Sequence, residues 1–343
     1  MKSKLYFLST VLAIFLINLV KDSIDPYYYT ILIYIGINII LASSLNLING
    51  FTGQFSLGHA GFMAIGGYLS ISMSTYFAPF FANLFGAGVF GENMTFLTVM
   101  ILGGLAAAAI GLLVGVPSLR LKGDYLAIVT LGFSEIIRVL IQGMDFIGAS
   151  QGFRGVYQYS NGVKSLQMLD NTQDSFIFYG VPKYTNFFWT FFIAAFIVYF
   201  IYNLINSTYG KGFLAVKDDE VAAESMGINT TKFKVIAFVS GAFFAGVAGA
   251  LYGHFNLYLN PEDFNFLKSV EIVAIVILGG MGSIPGVIIA AVILTILPEL
   301  LRGISEYRMI VYALLLIIMM LTRPQGIFGT KFKFKRKKKV ESA

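Results

Sequence analysis

The sequence predicts an all-α polytopic membrane protein with about ten transmembrane helices, some of them short or broken. Of its 343 residues, 57% are hydrophobic and only 12% are charged, and the mean hydropathy is +0.77. Soluble domains carry about 25% charged residues, so this composition excludes a soluble enzyme or binding module. Apolar runs recur at lengths near the ~20 residues that cross a bilayer as a helix. They do not alternate with polar residues, which argues against a transmembrane barrel.

The apolar runs define a series of spans before the last third of the chain. The first run resembles a signal peptide, but no small-residue cleavage site precedes Lys21, so we expect a retained helix. Asn83–Asn93 is predicted as a turn and Gly143–Lys183 as a long polar loop. The predicted spans are Leu5–Val20, Tyr27–Ile48, Leu57–Phe77, Met94–Val116, Tyr125–Gln142, Thr185–Ile205 and Val235–Gly253.

The last third of the chain is more broken. Val270–Leu278 is too short for a full span, and the glycine-rich Gly279–Ser283 separates it from the longer Ile284–Leu301. Ile310–Thr322 ends the apolar part. With the N-terminus inside, the basic stretches at Arg120/Lys122 and Lys211–Lys234 also fall inside, as the positive-inside rule requires. The C-terminal tail joins them only if the broken pair crosses twice. We therefore expect ten helices with both termini cytoplasmic; the alternative is nine helices and a re-entrant segment.

The net charge of +6 resides in the C-terminal tail. Lys331–Ala343 holds seven basic residues and Glu341, a net +6, so the rest of the chain sums to zero. A lysine tail beside a helix end is typical of a cytoplasmic terminus, and charge confined to one tail argues against a nucleic-acid partner. The absence of cysteine excludes disulfides and cysteine-ligated metals. Two histidines leave little material for a metal site, and we expect none.

A charged segment, Gly210–Ile228, follows the sixth span. Asp218 is a good N-cap residue, Asp219 and Glu220 suit the positive end of a helix dipole, and Gly227 is a good helix terminator. These signals predict a short helix of about two turns, or roughly 12 Å.

The predicted short helix has one face of small residues. Asp219, Ala222, Ala223 and Met226 are spaced so that they share this face. Small residues let another backbone approach closely, so the helix is suited to a groove on a partner protein. The alternative is an amphipathic helix lying on lipid headgroups, although the large apolar face of such a helix is missing.

Two glycine-rich segments, Leu47–Phe62 and Gly279–Gly286, interrupt the apolar pattern. Irregular backbone at membrane depth survives only where protein or a water-filled cavity satisfies it. Interrupted segments in both halves of a membrane protein indicate a translocation pathway, and the alternative is tight packing through small residues. The candidate pathway residues are Gly53, Gln54, Ser56, Gly58, His59, Gly280 and Gly282, with Glu135 of the fifth span.

The fifth span carries Glu135 and Arg138, which lie three residues apart on one helical face. Charges within a span face a cavity or each other, so we favour an internal ion pair over contact with substrate. The segment Gly148–Gly152 contains a serine without a nearby histidine in sequence, which gives little support to catalysis. No nucleotide-binding P-loop sequence occurs, so any ATP must be bound by another chain.

Four blocks together resemble the permease family of ABC importers for branched-chain amino acids, in particular its LivM-like subunit. The resemblance covers about Leu41–Gly326, and the blocks appear in the order of the family. The blocks are GQFSLGH (Gly53–His59), LKGDYLAIVTLG (Leu121–Gly132), KDDEVAAESMGI (Lys217–Ile228), and LGGMGS (Leu278–Ser283) with RPQG (Arg323–Gly326). The chain departs from the family pattern at Lys217, where arginine is expected, and at Gly61, where alanine is expected.

The resemblance implies a non-enzymatic transport subunit in a bacterial or archaeal cytoplasmic membrane. Residues 1–326 would form the permease domain and residues 327–343 a basic cytoplasmic tail. The implied partners are a second homologous permease, two ATPase subunits that bind ATP and Mg, an extracytoplasmic substrate-binding protein and membrane lipid; this chain itself would bind no cofactor. The implied coupling helix, which docks on the ATPase, comprises Asp218, Asp219, Glu220, Ala222, Ala223, Met226 and Gly227.

The implied activity is ATP-driven alternating access for leucine, isoleucine and valine. The same machinery could carry urea, short amides, other amino acids or sugars. An ion-coupled secondary transporter would need intramembrane carboxylates, for which Glu135 is the best candidate. A membrane enzyme is disfavoured because the sequence offers no credible pair of nucleophile and base.

Overall fold

A computed structural model gives the fold. It describes residues 2–19, 24–86, 88–119, 121, 123–159, 162–165 and 177–304, with the single residues 310, 313, 314, 317 and 326. The α-helices among these residues are α1 (Lys2–Leu19), α2 (Pro26–Asn46), α3 (His59–Tyr76), α4 (Ala78–Phe85), α5 (Val89–Ser118), α6 (Asp124–Gln142), α7 (Phe187–Ile205), α8 (Thr208–Asp218), α9 (Glu220–Ser225), α10 (Thr230–Asn256), α11 (Phe266–Gly279) and α12 (Ile284–Leu300).

The helical, polytopic character that the sequence predicts is confirmed. Within the described residues, five helical stretches are long and apolar enough to cross a membrane, and the apolar stretches Leu8–Asn18 and Ile284–Leu300 are shorter. The predicted span Ile310–Thr322 and the basic tail lie largely or wholly outside the described residues. The five long stretches are Pro26–Phe51, Val89–Ser118, Tyr125–Gln142, Phe187–Ile205 and Thr230–Asn256.

The predicted turn Asn83–Asn93 is wrong in extent. Helix α4 continues to Phe85 and α5 already begins at Val89, because the polar residues on which the prediction rested can lie on the first turns of a helix. Asn93, for example, bonds its own helix: its Nδ2 donates to the Val89 carbonyl at 2.7 Å.

Helices α3, α5 and α10 form the centre of the molecule and approach one another through glycines. A Cβ atom at Gly103 of α5 would lie 2.7 Å from the carbonyl oxygen of Gly66 in α3. A Cβ atom at Gly246 of α10 would lie 2.6 Å from the Cβ of Ala107. These contacts are tighter than side chains allow, so small residues set the separation of the three helices, as is usual between membrane helices.

Helices α11 and α12 form an antiparallel hairpin against α2. At the hairpin turn, the Gly282 N–H donates to Asn46 Oδ1 at 2.8 Å. Along the helices, Asn38 Nδ2 donates to Thr295 Oγ1 at 2.9 Å, and Tyr27 at the start of α2 bonds to Glu299. The start of α2 therefore lies beside the end of α12, and the end of α2 lies beside the hairpin turn.

The predicted polar loop between α6 and α7 contains a small antiparallel sheet that the sequence did not indicate. Its strands are β1 (Gly155–Tyr159), β2 (Gly162–Ser165) and β3 (Ile177–Gly180), in the order β2-β1-β3. A bridge between Phe153 and Leu259 fastens the start of this sheet to the segment after α10. The fold is thus helical with one small sheet at the end where α6 and α10 finish.

Candidate coupling segment and interrupted helices

The charged segment after α7 folds as two helices, α8 and α9, instead of the one predicted. Ser207 caps α8, since its Oγ accepts from the Tyr209 N–H at 3.2 Å. Phe213 of α8 is fully buried and packs edge to face against Phe233 of α10. Helix α8 was missed because its sequence contains two glycines, at 210 and 212, which normally weaken a helix; here both are buried.

The N-cap of the short helix is Asp219, and the prediction of Asp218 is wrong. Asp219 has extended backbone angles, φ −159° and ψ 113°, and its Oδ1 accepts from the N–H groups of Val221 at 2.9 Å and Ala222 at 3.0 Å. Asp218 is instead the last residue of α8. An N-cap residue needs non-helical backbone angles to turn its carboxylate back onto the helix, and only Asp219 has them.

Gly227 terminates α9, as the sequence predicts. Its φ of +82° is in the left-handed region that glycine adopts without strain. The Ile228 N–H donates to the Ala223 carbonyl at 3.0 Å, which satisfies a carbonyl at the helix end. Helix α9 itself has only six residues, or about 9 Å, and is shorter than predicted.

The exposed face of α9 differs from the predicted one. Ala223 is only 5% exposed and faces the protein, so its assignment to the docking face is wrong. Met226 is 82% exposed and Val221 65% exposed, and Ala222 is exposed with them. The prediction counted only helical spacing, which cannot say which side of a helix packs against its own chain.

Helix α9 is fastened to the start of α10 by two side-chain contacts. Lys234 Nζ forms an ion pair with Glu220 Oε1 at 2.5 Å, although Lys234 is nearly buried. Thr230 Oγ1 donates to Glu224 Oε1 at 2.6 Å. A buried charge is tolerated only when it is paired, so this ion pair fixes the position of α9 on the bundle.

The first interrupted segment is a stretch of irregular backbone between α2 and α3. Helix α2 continues into a π-helical turn, Leu47–Phe51, and regular structure resumes only at His59. Side chains satisfy the backbone between them: the Ser56 N–H donates to Asn49 Oδ1 at 3.2 Å, and the Leu57 N–H donates to Thr130 Oγ1 at 3.1 Å. Protein groups thus support irregular backbone, as membrane depth demands.

The polar residues of this segment are buried. Ser56 and His59 are fully buried, and His59 Nε2 lies 2.7 Å from Ser44 Oγ. Gln54 is 5% exposed, and neither atom of its carboxamide has a hydrogen-bond partner among the residues that the structure describes. Unused hydrogen-bonding capacity of this kind is rare in protein interiors and marks the segment as a candidate functional site.

The two interrupted segments meet at the end of α2. Gly280 and Gly282 have positive φ values of +96° and +87°, which the hairpin turn requires. A Cβ atom at Gly282 would lie 3.2 Å from the carbonyl oxygen of Gly50, so the turn rests directly on the π-helical turn. The hairpin turn that contains Gly280 and Gly282 therefore lies against the end of α2, from which the first interrupted segment continues, whereas Glu135 lies elsewhere.

Glu135 belongs to a separate ion-pair cluster near the other end of α6. Arg138 Nε donates to Glu135 Oε2 at 2.8 Å, which is the ion pair the sequence favours. The cluster extends to Glu262, whose Oε1 accepts from Arg138 Nη1 at 2.8 Å and Gln142 Nε2 at 2.7 Å. Next to it, burial raises the pKa of Asp263 above its ordinary value.

A cavity of about 120 Å³ lies between α8 and the first interrupted segment. Its lining includes Gly53 and Gln54 on one side and Lys217, Glu220 and Lys234 on the other. The charged segment is thus in contact with the interrupted helices through a partly polar interface, a relation that sequence spacing alone could not reveal.

Comparison with known proteins identifies the family. The sequence model described as the branched-chain amino acid transport system permease component matches residues 27–320. The chain belongs to this family. It is 36% identical to the high-affinity branched-chain amino acid transport system permease protein LivM of Salmonella typhimurium over 307 residues, which are 85% of this chain and 67% of that protein.

Two further relatives extend the comparison. The probable branched-chain amino acid transport permease protein LivM of Methanocaldococcus jannaschii is 24% identical over 341 residues, covering 88% of this chain and 93% of that protein. The permease protein LivH of Escherichia coli is 38% identical over 125 residues, covering 36% of this chain and 40% of LivH. No solved structure matches the chain.

Proposed function

We propose that this chain is the membrane permease subunit of an ATP-driven importer for leucine, isoleucine and valine. It would act with a second homologous permease, two ATPase subunits that bind ATP and Mg, and an extracytoplasmic substrate-binding protein. Family membership and the names of the relatives support the cargo. The similarity to both LivM and LivH supports a pair of related permeases.

The observation that carries the proposal is the exposed apolar side of α9. Val221 of α9 and Met226 at its C-cap are large, exposed apolar residues, and the helix is capped, terminated and ion-paired to the bundle. A short helix held this firmly loses little conformational freedom when it docks, which favours binding. We assign α9 and its flanking residues Asp218, Asp219 and Gly227 to contact with an ATPase subunit.

The permease would cross the membrane ten times with both termini in the cytoplasm. Support comes from the ends of the α11–α12 hairpin. Glu299 is bonded to Tyr27 at the start of α2, whereas a Cβ atom at Gly326 would lie 2.8 Å from the carbonyl oxygen of Ile277 at the opposite end of the bundle. A return across the bundle between Glu299 and Gly326 would make the tenth crossing.

The translocation pathway would run past the two interrupted segments. Gly53, Gln54, Ser56, Gly58 and His59 supply irregular backbone and buried polar groups on one side. Gly280 and Gly282 supply the hairpin turn on the other. Glu135 stays a weaker candidate, because its carboxylate is already paired with Arg138.

The proposal is tested by altering the exposed side of α9. The double variant Val221→Asp/Met226→Arg places charges where an apolar groove is expected. It should insert normally, lose co-purification of the ATPase subunits and lose ATP-dependent uptake of radiolabelled leucine in proteoliposomes. Lys232→Met is the matched control. Lys232 is also exposed, but it lies in the first turn of α10, seven positions beyond the last residue of α9.

Three results would contradict the proposal, the last of them in its cargo alone. Leucine uptake by the permease without any ATPase subunit would indicate a secondary transporter. Full ATPase binding by the Val221→Asp/Met226→Arg variant would remove α9 from the docking surface. If urea or acetamide, but not isoleucine or valine, competed with leucine for uptake, the chain would still be an importer permease but its substrate would differ from the one proposed.

The orientation can be tested by thiol labelling, because the natural chain contains no cysteine. Lys211→Cys on α8 and Gln151→Cys between α6 and the sheet replace exposed residues at opposite ends of the bundle. In intact cells, a membrane-impermeant maleimide should label only Gln151→Cys. Labelling of Lys211→Cys would reverse the proposed topology.

A further inference from the structure

Lys217 connects the charged segment Gly210–Ile228 to the two interrupted segments. It is the penultimate residue of α8, immediately before the residues that start α9. Its Nζ donates a 2.6 Å hydrogen bond to the carbonyl oxygen of Gly50 in the π-helical turn that ends α2. The last carbonyls of a helix lack partners within the helix and form its negative end, so an ammonium group is well matched to this position.

The same ammonium group also borders the α11–α12 hairpin turn. A Cβ atom at Gly282 would lie 3.4 Å from Lys217 Nζ and 3.2 Å from the Gly50 oxygen. Asn46 closes the arrangement, since its Oδ1 accepts from the Gly282 N–H at 2.8 Å. One side chain of the charged segment thus bonds to the end of α2 and lies beside the hairpin turn, so close that an added Cβ atom at Gly282 would touch it.

The stem of Lys217 is held as well. A Cβ atom at Gly53 would lie 3.2 Å from Lys217 Cγ and 3.5 Å from its Cα, and Gly53 has a φ of +69°. Gly53 therefore leaves room for the Lys217 side chain to cross the first interrupted segment. The hydrogen bond from Lys217 Nζ to the Gly50 carbonyl thus joins a charged group of α8 to the backbone of the π-helical turn.

We propose that Lys217 is the positioning residue that transmits displacement of the ATPase-docking helix to the two interrupted segments. The inference rests on the proposed function and adds to it a specific route. Movement of α9 would pull on the Gly50 carbonyl through Lys217, and the Asn46 bond would carry the change to the hairpin turn at Gly282. The two interrupted segments would then move together and not independently.

The test measures leucine uptake and ATP hydrolysis together in the reconstituted full complex. Lys217→Met keeps most of the unbranched apolar side chain and removes its donor. We expect ATPase subunits to bind normally. The amount of leucine taken up per ATP hydrolysed should decrease by about 5- to 150-fold, the range typical of coupling between sites. Lys217→Arg, which keeps a cationic donor, should retain most of the ratio.

Lys211→Met is the matched control, because Lys211 is an exposed lysine of the same helix; its ratio should equal that of the wild type. If Lys217→Met also retains the wild-type ratio, the inference is overturned. A Lys217→Met protein that no longer binds the ATPase would overturn it too, since the residue would then maintain the docking surface and not transmit its movement.

A second measurement addresses the contact without requiring transport. In the wild-type complex, a water-soluble amine reagent should modify Lys217 more slowly than Lys211, as quantified by peptide mass spectrometry. Equal rates would contradict the hydrogen bond to Gly50. A wild-type complex without ATP-dependent uptake, but with slow Lys217 modification, would instead count against the proposed function and leave the contact intact.

Discussion

Gly58 offers the sharpest test of how closely the first broken segment is packed. A Cβ atom at this position would lie 2.6 Å from the carbonyl oxygen of Thr130 in α6. Ordinary van der Waals contact begins near 3.4 Å, so Gly58→Ala requires α6 to move by about 0.8 Å. The φ of Gly58 is −91°, which alanine tolerates, so the cost is steric and not conformational.

The expected loss of stability is about 1–3 kcal/mol, the usual cost of overpacking a close-packed interior. At about 2.1 cal/mol/K of unfolding entropy per residue, a chain of 343 residues should show a fall of about 1.5–4 °C in the apparent unfolding midpoint. The fluorescence of the single tryptophan, Trp189, measures this midpoint in purified, detergent-solubilised protein; its indole Nε1 donates to Asn93 Oδ1 at 2.7 Å.

Gly132→Ala is the control for this experiment, because a Cβ atom at Gly132 meets nothing within 4 Å. Alanine is favoured over glycine within a helix by up to about 1 kcal/mol, so this variant should unfold at the wild-type temperature or higher. An unchanged midpoint for Gly58→Ala would refute the close approach of the first interrupted segment to α6. An equal fall in both variants would show that the loss arises elsewhere.

Three further predictions concern single interactions. Asp219→Ala removes both N-cap hydrogen bonds and should destabilise α9 by about 1 kcal/mol, visible as faster amide hydrogen exchange in that helix alone. Lys234→Met removes the buried ammonium group from its ion pair with Glu220 and should lower the unfolding midpoint, because breaking a buried ion pair is destabilising; the added change Glu220→Gln should restore part of the loss. Glu135→Gln should slow leucine uptake only modestly, because Arg138 retains its bond to another carboxylate; loss of a proton or sodium dependence would contradict this structural role.

Hydropathy alone was sufficient to predict the positions of the long helices. Tyr27–Ile48, Tyr125–Gln142 and Thr185–Ile205 were predicted within a few residues of their bounds, because a stretch of this length and apolarity has few other folds open to it. Helix α10 extends about five residues before and three after its predicted span. Its first turns carry lysines, which lower hydropathy without preventing a helix.

The coupling segment shows where sequence reasoning fails. Spacing placed Ala223 beside Met226, but tertiary packing turned Ala223 inward and left Val221 exposed. The choice between Asp218 and Asp219 as N-cap depended on where α8 ends, which local sequence did not indicate. The contact of Lys217 with Gly50 joins residues 167 positions apart, and no pattern within either segment predicts it.

The bridge between Phe153 and Leu259 has a mechanical consequence for helix α10. This helix is a rod of 27 residues, or about 40 Å, with the Lys234–Glu220 ion pair near one end and the sheet fastened just beyond the other. A tilt of about 5° about the ion-paired end would displace the far end by roughly 3.5 Å over that length. A small rotation of α10 at one end of the bundle would therefore produce a larger displacement at the opposite end, and the sheet would move with the helix.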